Sequence, residues 1–164
     1  MGDPAGLPPG LPGVFDLMGV GSPGLPGLPG TFDLIWCGSL FTHINETVAL
    51  LLLKFFYNHL APNGLCLFTS HGQFSIDSLQ SKTITYGLEI NEQNEVISQF
   101  HRTGYGYSDY LNQSGYGISA VSHAHMISIA RNIGDWKEVF FKERGWDNHQ
   151  DVYGLAAYIK GAEG

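Results

Sequence analysis

TFDLIWCGSLFTHINETVALLLLKFFYNHLAPNGLCLFTSHG, from Thr31 to Gly72, is the stretch that decides the fold. Phe32, Leu34, Ile35 and Trp36 form the short apolar run of a strand buried on both faces of a parallel sheet. After the loop Cys37 to Ile44, Asn45 has the side chain of an N-cap, able to accept from a free backbone N–H at a helix start. Val48, Leu51, Leu52, Phe55, Phe56 and Leu60 then recur at three- and four-residue steps, so one face of that helix is apolar and packs on the sheet. Ala61-Pro62-Asn63-Gly64 ends the helix, because Pro62 cannot continue it and Asn63-Gly64 tolerates positive φ. Leu65 to Ser70 is a second apolar strand. Strand, helix and strand with short links make a βαβ unit, with parallel strands and a right-handed crossover.

Outward from this unit the composition divides. Seven of the eight prolines and nine of the 22 glycines fall within residues 1–30, so 16 of those 30 positions are Pro or Gly. Few side chains there can offset the entropy of ordering the backbone, and the segment is expected to be a poorly ordered leader or linker. Its glycine triplets are too few for a collagen helix. Residues 31–164 are long and apolar enough for one α/β domain. The net charge of −7 offers no basic stripe for a nucleic-acid backbone or an anionic membrane. No Lys or Arg precedes Lys54, and the longest aliphatic run is Leu50 to Leu53, far below the ~20 residues that cross a bilayer. A cytoplasmic protein is expected. Cys37 ends one strand and Cys66 begins its neighbour, about four residues or ~13 Å apart, which excludes a disulfide.

Downstream, residues 75–121 are polar, rich in Tyr and Gly and poorly periodic, as a lid insertion would be. Glu92, Val96, Ile97 and Phe100 suggest one helix there, capped by Asn91 and stopped near Gly104. Ser122 to Ile133 forms a further helix, with Ser122 as N-cap and Gly134 as its stop. Trp136 to Lys142 and Val152 to Lys160 are strands, separated by a polar loop from Glu143 to Asp151 and paired antiparallel at one edge of the sheet.

FDLIWCGSLFTH, LAPNGLCLFTSHG and FKERGWDNHQDVYGLAAYIK, in this order, resemble the second half of a class I S-adenosylmethionine-dependent methyltransferase across residues 31–160. The resemblance implies a partial Rossmann-like sheet: strands equivalent to the family's fourth, fifth and sixth run parallel, and the seventh inserts antiparallel between the last two. It also implies S-adenosylmethionine as cofactor, a small-molecule or sugar-like acceptor, and a loop after the fourth strand, here Cys37 and Ser39, bordering the cofactor. The family's Gly-rich turn is not clearly present. Val14-Phe15-Asp16-Leu17-Met18-Gly19-Val20-Gly21 is the nearest candidate, with Asp16, Gly19 and Gly21 approaching the ligand, and a plain linker is the other reading.

In open α/β sheets ligands sit at the carboxyl ends of the parallel strands, where Cys37 to Ile44, His71 to Phe74 and Glu143 to Asp151 converge. An imidazole ordinarily titrates near neutral pH, so the side-chain type at His43, His71 and His149 suits proton transfer to or from an acceptor. Equally, His43 can brace the following helix. Asp151, two residues from His149, shares its face on an extended backbone and can orient the imidazole or form a hairpin network. Tyr107 and Tyr110 can close over an acceptor, and Trp146 can wall a ring or pack on the sheet. His123 and His125 lie on different faces of their helix, and nothing in the sequence calls for a metal. Three classes stay open: a methyltransferase whose first half is supplied elsewhere, by a homo-oligomer or a complementing chain; a non-catalytic methyltransferase-like protein; and a truncated chain.

Overall fold

The computed structural model describes residues 31–158. Asp16, Gly19, Gly21 and the Pro/Gly-rich segment lie outside them. The chain begins with β1 (Phe32–Cys37), α1 (Glu46–His59) and β2 (Leu60–Ser70), the βαβ unit expected. Asn45 caps α1, its Oδ1 accepting from Val48 N at 3.0 Å. The buried face is rotated from the expected one: Ala49, Leu52, Leu53 and Phe56 point inward, while Leu51 is 40% exposed. Leu60 is buried as the first residue of β2 rather than the last of the helix.

The main sheet is mixed, in the order β1-β2-β6-β5, with β5 at Trp136–Trp146 and β6 at Gln150–Ala157. β1 and β2 are parallel, and β6 is antiparallel to both β2 and β5. Three strands therefore run one way, and the last in sequence runs back between two of them. Both hairpin strands meet in a short turn at Asp147 and Asn148, each with φ near 52°, so the expected long polar loop is mostly strand. Ile35, not a more distant residue, pairs with Cys66, which leaves Cys37 two positions away, about 7 Å along the strand. Both cysteines are free thiols, Cys66 fully buried.

α4 (His123–Ile133), capped by Ser122, lies beside α1 on one face of this sheet. Between them sits the core: Leu53, Phe56, Phe68, Met126, Tyr153 and Leu155 are its centre. Burial of this much aliphatic and aromatic surface, at roughly 25 cal/mol per Å², is the main stabilising term.

Residues 73–121 are more ordered than their composition suggests. They form α2 (Gln73–Ser81), α3 (Ile90–Thr103) and a hairpin of β3 (Tyr105–Tyr110) and β4 (Gln113–Val121). Ile76, Leu79, Val96, Phe100, Ile118 and Ala120 make a second small core. α3 starts one turn's edge earlier than expected, after Glu89 and not Asn91, with no side-chain cap. The strands are hidden in the sequence because glycine is needed where backbones touch. A Cβ on Gly106 would stand 2.1 Å from the Val96 carbonyl oxygen, so α3 can lie on β3 only if that position is bare.

Candidate functional site

β4 runs along the carboxyl edge of the main sheet and holds two imidazoles there. Its backbone N–H groups donate to the loops: Gly117 to His43 O at 3.0 Å, Ser119 to Thr42 O at 3.0 Å, and Val121 to His71 O at 2.9 Å. Its carbonyls receive the rings in return. His43 Nδ1 lies 2.8 Å from Gly117 O, and His71 Nδ1 lies 3.1 Å from Ser119 O. A carbonyl oxygen only accepts, so each Nδ1 carries its proton, and each neutral ring keeps its lone pair at Nε2. Thus one strand sets the tautomer of two histidines. His43 stacks on Tyr116, centroids 4.8 Å apart, and its ring lies 6.1 Å from that of Tyr110.

His71, His149 and Tyr86 form the tightest aromatic group at this edge. The two imidazoles stand edge to face at 5.3 Å, Tyr86 lies 4.9 Å from His71, and Tyr86 Oη and His149 Nε2 share a hydrogen bond of 2.8 Å. Phe74 flanks His149, with the Arg144 guanidinium 4.1 Å above its ring. Burial, then the neighbouring His149, hold His71 down to about 3, against the opposing pull of the Ser119 carbonyl. It is neutral at any ordinary pH. Burial also lowers His149, which is only partly enclosed.

Asp151 does not orient His149. Its Oδ1 accepts from Arg144 N at 2.9 Å, and Oδ2 lies against Gly72. The reason is the turn: His149 is not on extended backbone, so the two side chains do not share a face. Burial raises the Asp151 pKa. A Cβ on Gly72 would come within 1.9 Å of Oδ2, inside any allowed contact. Gly72→Ala is expected to push the carboxylate from its place and cost roughly 1–3 kcal/mol. Urea unfolding followed by circular dichroism measures it, and a variant as stable as the parent would refute the contact.

Of the remaining candidates, Tyr110 stands near the His43 ring, and Ser39, Cys37, Trp146 and Tyr107 are placed apart from the imidazoles. Ser39, with φ 57°, donates its N–H to Thr69 Oγ1 at 2.7 Å. Its Oγ meets Gln150, whose Oε1 also accepts from Thr69 Oγ1 at 2.6 Å. Ser39 is therefore committed to a closed network. Burial pushes the Cys37 thiol up to about 11, so it is uncharged. Trp146 packs on Trp36, centroids 5.1 Å apart, on the opposite face of the sheet from Asp151. Tyr107 Oη donates to Asp109 at 2.5 Å, tying it within its own strand. Tyr110 borders a shallow open cavity of about 600 Å³ lined by Glu92 and residues 108–114, which holds none of the histidines. The chemistry points to the imidazole edge, not to this depression, which is lined by two carboxylates, neutral polar groups and Leu111.

Sequence reasoning did not find Tyr86, Ser119 or Gln150. Tyr86 sits in left-handed backbone before Gly87, and that Tyr-Gly pair was its one local signal. Ser119 acts through its carbonyl, which no side-chain pattern discloses. Among the described residues, no group of three or more His, Cys, Asp or Glu is arranged to hold a metal ion, and no helix is long and apolar enough to cross a membrane.

Fold and site together define a mixed α/β protein with a four-stranded mixed sheet and a histidine-bearing edge at the carboxyl ends of β1 and β2. No family model matches the chain, and no curated protein is significantly similar to it.

Proposed function

We propose that residues 31–158 are the acceptor side of an S-adenosylmethionine-dependent methyltransferase acting on a small or sugar-like molecule. One observation carries this reading: the last strand, β6, runs antiparallel between β2 and β5, while β1, β2 and β5 share a direction. An order of this kind is what the resemblance implies, and it supports the reading. The histidines then stand at the carboxyl ends of the parallel strands, where such sheets bind ligands. An acceptor hydroxyl or amine must lose a proton, and His43 or His149 would receive it. His71, neutral and locked by Ser119, would accept a hydrogen bond and position the acceptor.

The described residues do not by themselves fit the cofactor. Ser39 spends its N–H and hydroxyl on Thr69 and Gln150, and Cys37 offers a half-buried neutral thiol. The reading thus requires Asp16, Gly19 and Gly21, or a complementing chain, to hold it. The closed Ser39 network favours the second reading, a methyltransferase-like protein without cofactor binding. Calorimetric titration of the chain with S-adenosylmethionine and S-adenosylhomocysteine separates the two. The catalytic reading with Asp16, Gly19 and Gly21 as the cofactor site expects saturable binding, and a folded chain that binds neither removes those residues from it. With an acceptor in hand, His149→Ala is expected to lower turnover about 100-fold, and an unchanged rate would remove His149 from the proton path.

A further inference from the structure

Tyr86 stands in a turn that has no use for a ring. Leu88 N donates to Thr85 O at 3.0 Å, and Tyr86 and Gly87 between them have φ 54° and 74°. Both central positions of such a turn favour Gly, Asn or Asp, and an aromatic residue seldom occupies the first. Thr85 and Gly87 are exposed, while the Tyr86 ring leans off the turn onto the imidazole edge. There it lies 4.9 Å from the ring of His71 and 5.5 Å from that of His149, with Oη 2.8 Å from His149 Nε2. The Ser75 hydroxyl, wholly buried, is beside the same phenol oxygen without a hydrogen bond of good geometry. The ring is half-buried, and the anchors of the turn lie elsewhere. Thr83 N donates to Ser78 O, Gln93 Nε2 donates to Leu88 O, and Leu88 is packed in the second core. Tyr86 can thus leave its place without unfolding α2 or α3.

We propose that this place is a binding slot for a phenol and that Tyr86 is its internal occupant. A free phenolic ring would lie against His71 with its hydroxyl reaching His149 Nε2 and Ser75 Oγ together, which the tethered Tyr86 does not do. The His149 nitrogen accepts from a hydroxyl or donates to it according to its tautomer, and the Ser75 hydroxyl can do either. Walls of ring carbon with two hydrogen-bonding atoms at one end suit a flat ring carrying a single hydroxyl. A sugar would press hydroxyls without partners against the buried side, at a cost for each. A ligand that enters only when Tyr86 swings out binds in proportion to the open fraction, so the tethered ring also sets the affinity. As a methyl acceptor the phenol rests on the methyl-transfer reading, whereas as a bound ligand it does not.

The test titrates the full chain with p-cresol, the tyrosine side chain without its backbone, and with toluene, which lacks the hydroxyl. NMR shifts of the histidine ring protons follow each titration. Tyr86→Gly empties the slot and suits the left-handed backbone. In that variant p-cresol is expected to saturate and to shift the His71 and His149 rings, with toluene about 10-fold weaker. The parent is expected to bind p-cresol at the same rings, about 10- to 100-fold more weakly than the variant, since its slot is open only a minor part of the time. Tyr86→Asn, which also accepts left-handed backbone, takes the place of a Tyr86→Gly that does not fold. Binding to the variant alone would make Tyr86 a plain packing residue and its removal an engineered hole, which overturns the proposal. So does equal affinity for toluene, or no saturation in either protein. Uptake of p-cresol by a chain that binds no S-adenosylmethionine supports the slot and counts only against the methyl-transfer reading.

Discussion

Lowering the pH from 7 to about 4 is expected to destabilise the folded chain by a few kcal/mol, and His71→Gln to remove most of that dependence. Burial first, then the charges of His149 and His43, hold the folded pKa of His71 at about 3, below its ordinary 6.5. The unfolded chain therefore takes up a proton below pH 6.5, and the folded chain does not until about pH 3. The contribution is fully present above 6.5 and is lost as the pH falls through that window, by up to about 1.4 kcal/mol per pH unit. His149, also lowered, adds to the loss. Asp151 acts oppositely: its raised folded pKa means that protonation relieves a cost as the pH falls through that value. Urea midpoints at neutral and acid pH measure the balance. A flat profile in the parent, or an equal slope in His71→Gln, would show that the ring is not held neutral by burial.

Tyr153 is the second large effect. Its ring is wholly buried, stacked on Phe68 at 5.0 Å with planes 4° apart, and touched by Phe141 and His123. Tyr153→Ala is expected to cost about 3–5 kcal/mol through lost burial and the cavity left behind. Tyr153→Phe should behave quite differently. The phenol oxygen is buried beside the Ser70 hydroxyl without a hydrogen bond of good geometry, so removing it takes away a poorly satisfied polar atom and should leave stability within about 1 kcal/mol of the parent. Thermal and urea unfolding of the two variants compare them directly. Equal losses would mean that the hydroxyl, not the ring, holds the site.

The residues that bear on the site were legible to different degrees. His43, His71 and His149 stand out because short apolar strands end just before two of them, and strand ends can be located from hydropathy alone. Of the two readings of Asp151, the hairpin network is the one present, since its carboxylate accepts from Arg144 N and the positive φ of Asp147 and Asn148 turns His149 off its face. The β3–β4 hairpin was hidden by glycines that its packing demands. Gly106 leaves room for the Val96 carbonyl, and in doing so erases the apolar alternation by which a strand is recognised.

The sequence by itself determined the βαβ unit, the Asn45 and Ser122 caps and the antiparallel closing hairpin, because each rests on contacts among residues near one another in the chain. Only the tertiary structure decided the rest. The tautomers of His43 and His71 depend on carbonyls 74 and 48 residues away, Ser39 is bound by Gln150 across 111 residues, and the bare face of the sheet is known only once α1 and α4 are seen to share the other. Backbone carbonyls and open faces carry no side-chain signature, so the elements must be in place before either can be found.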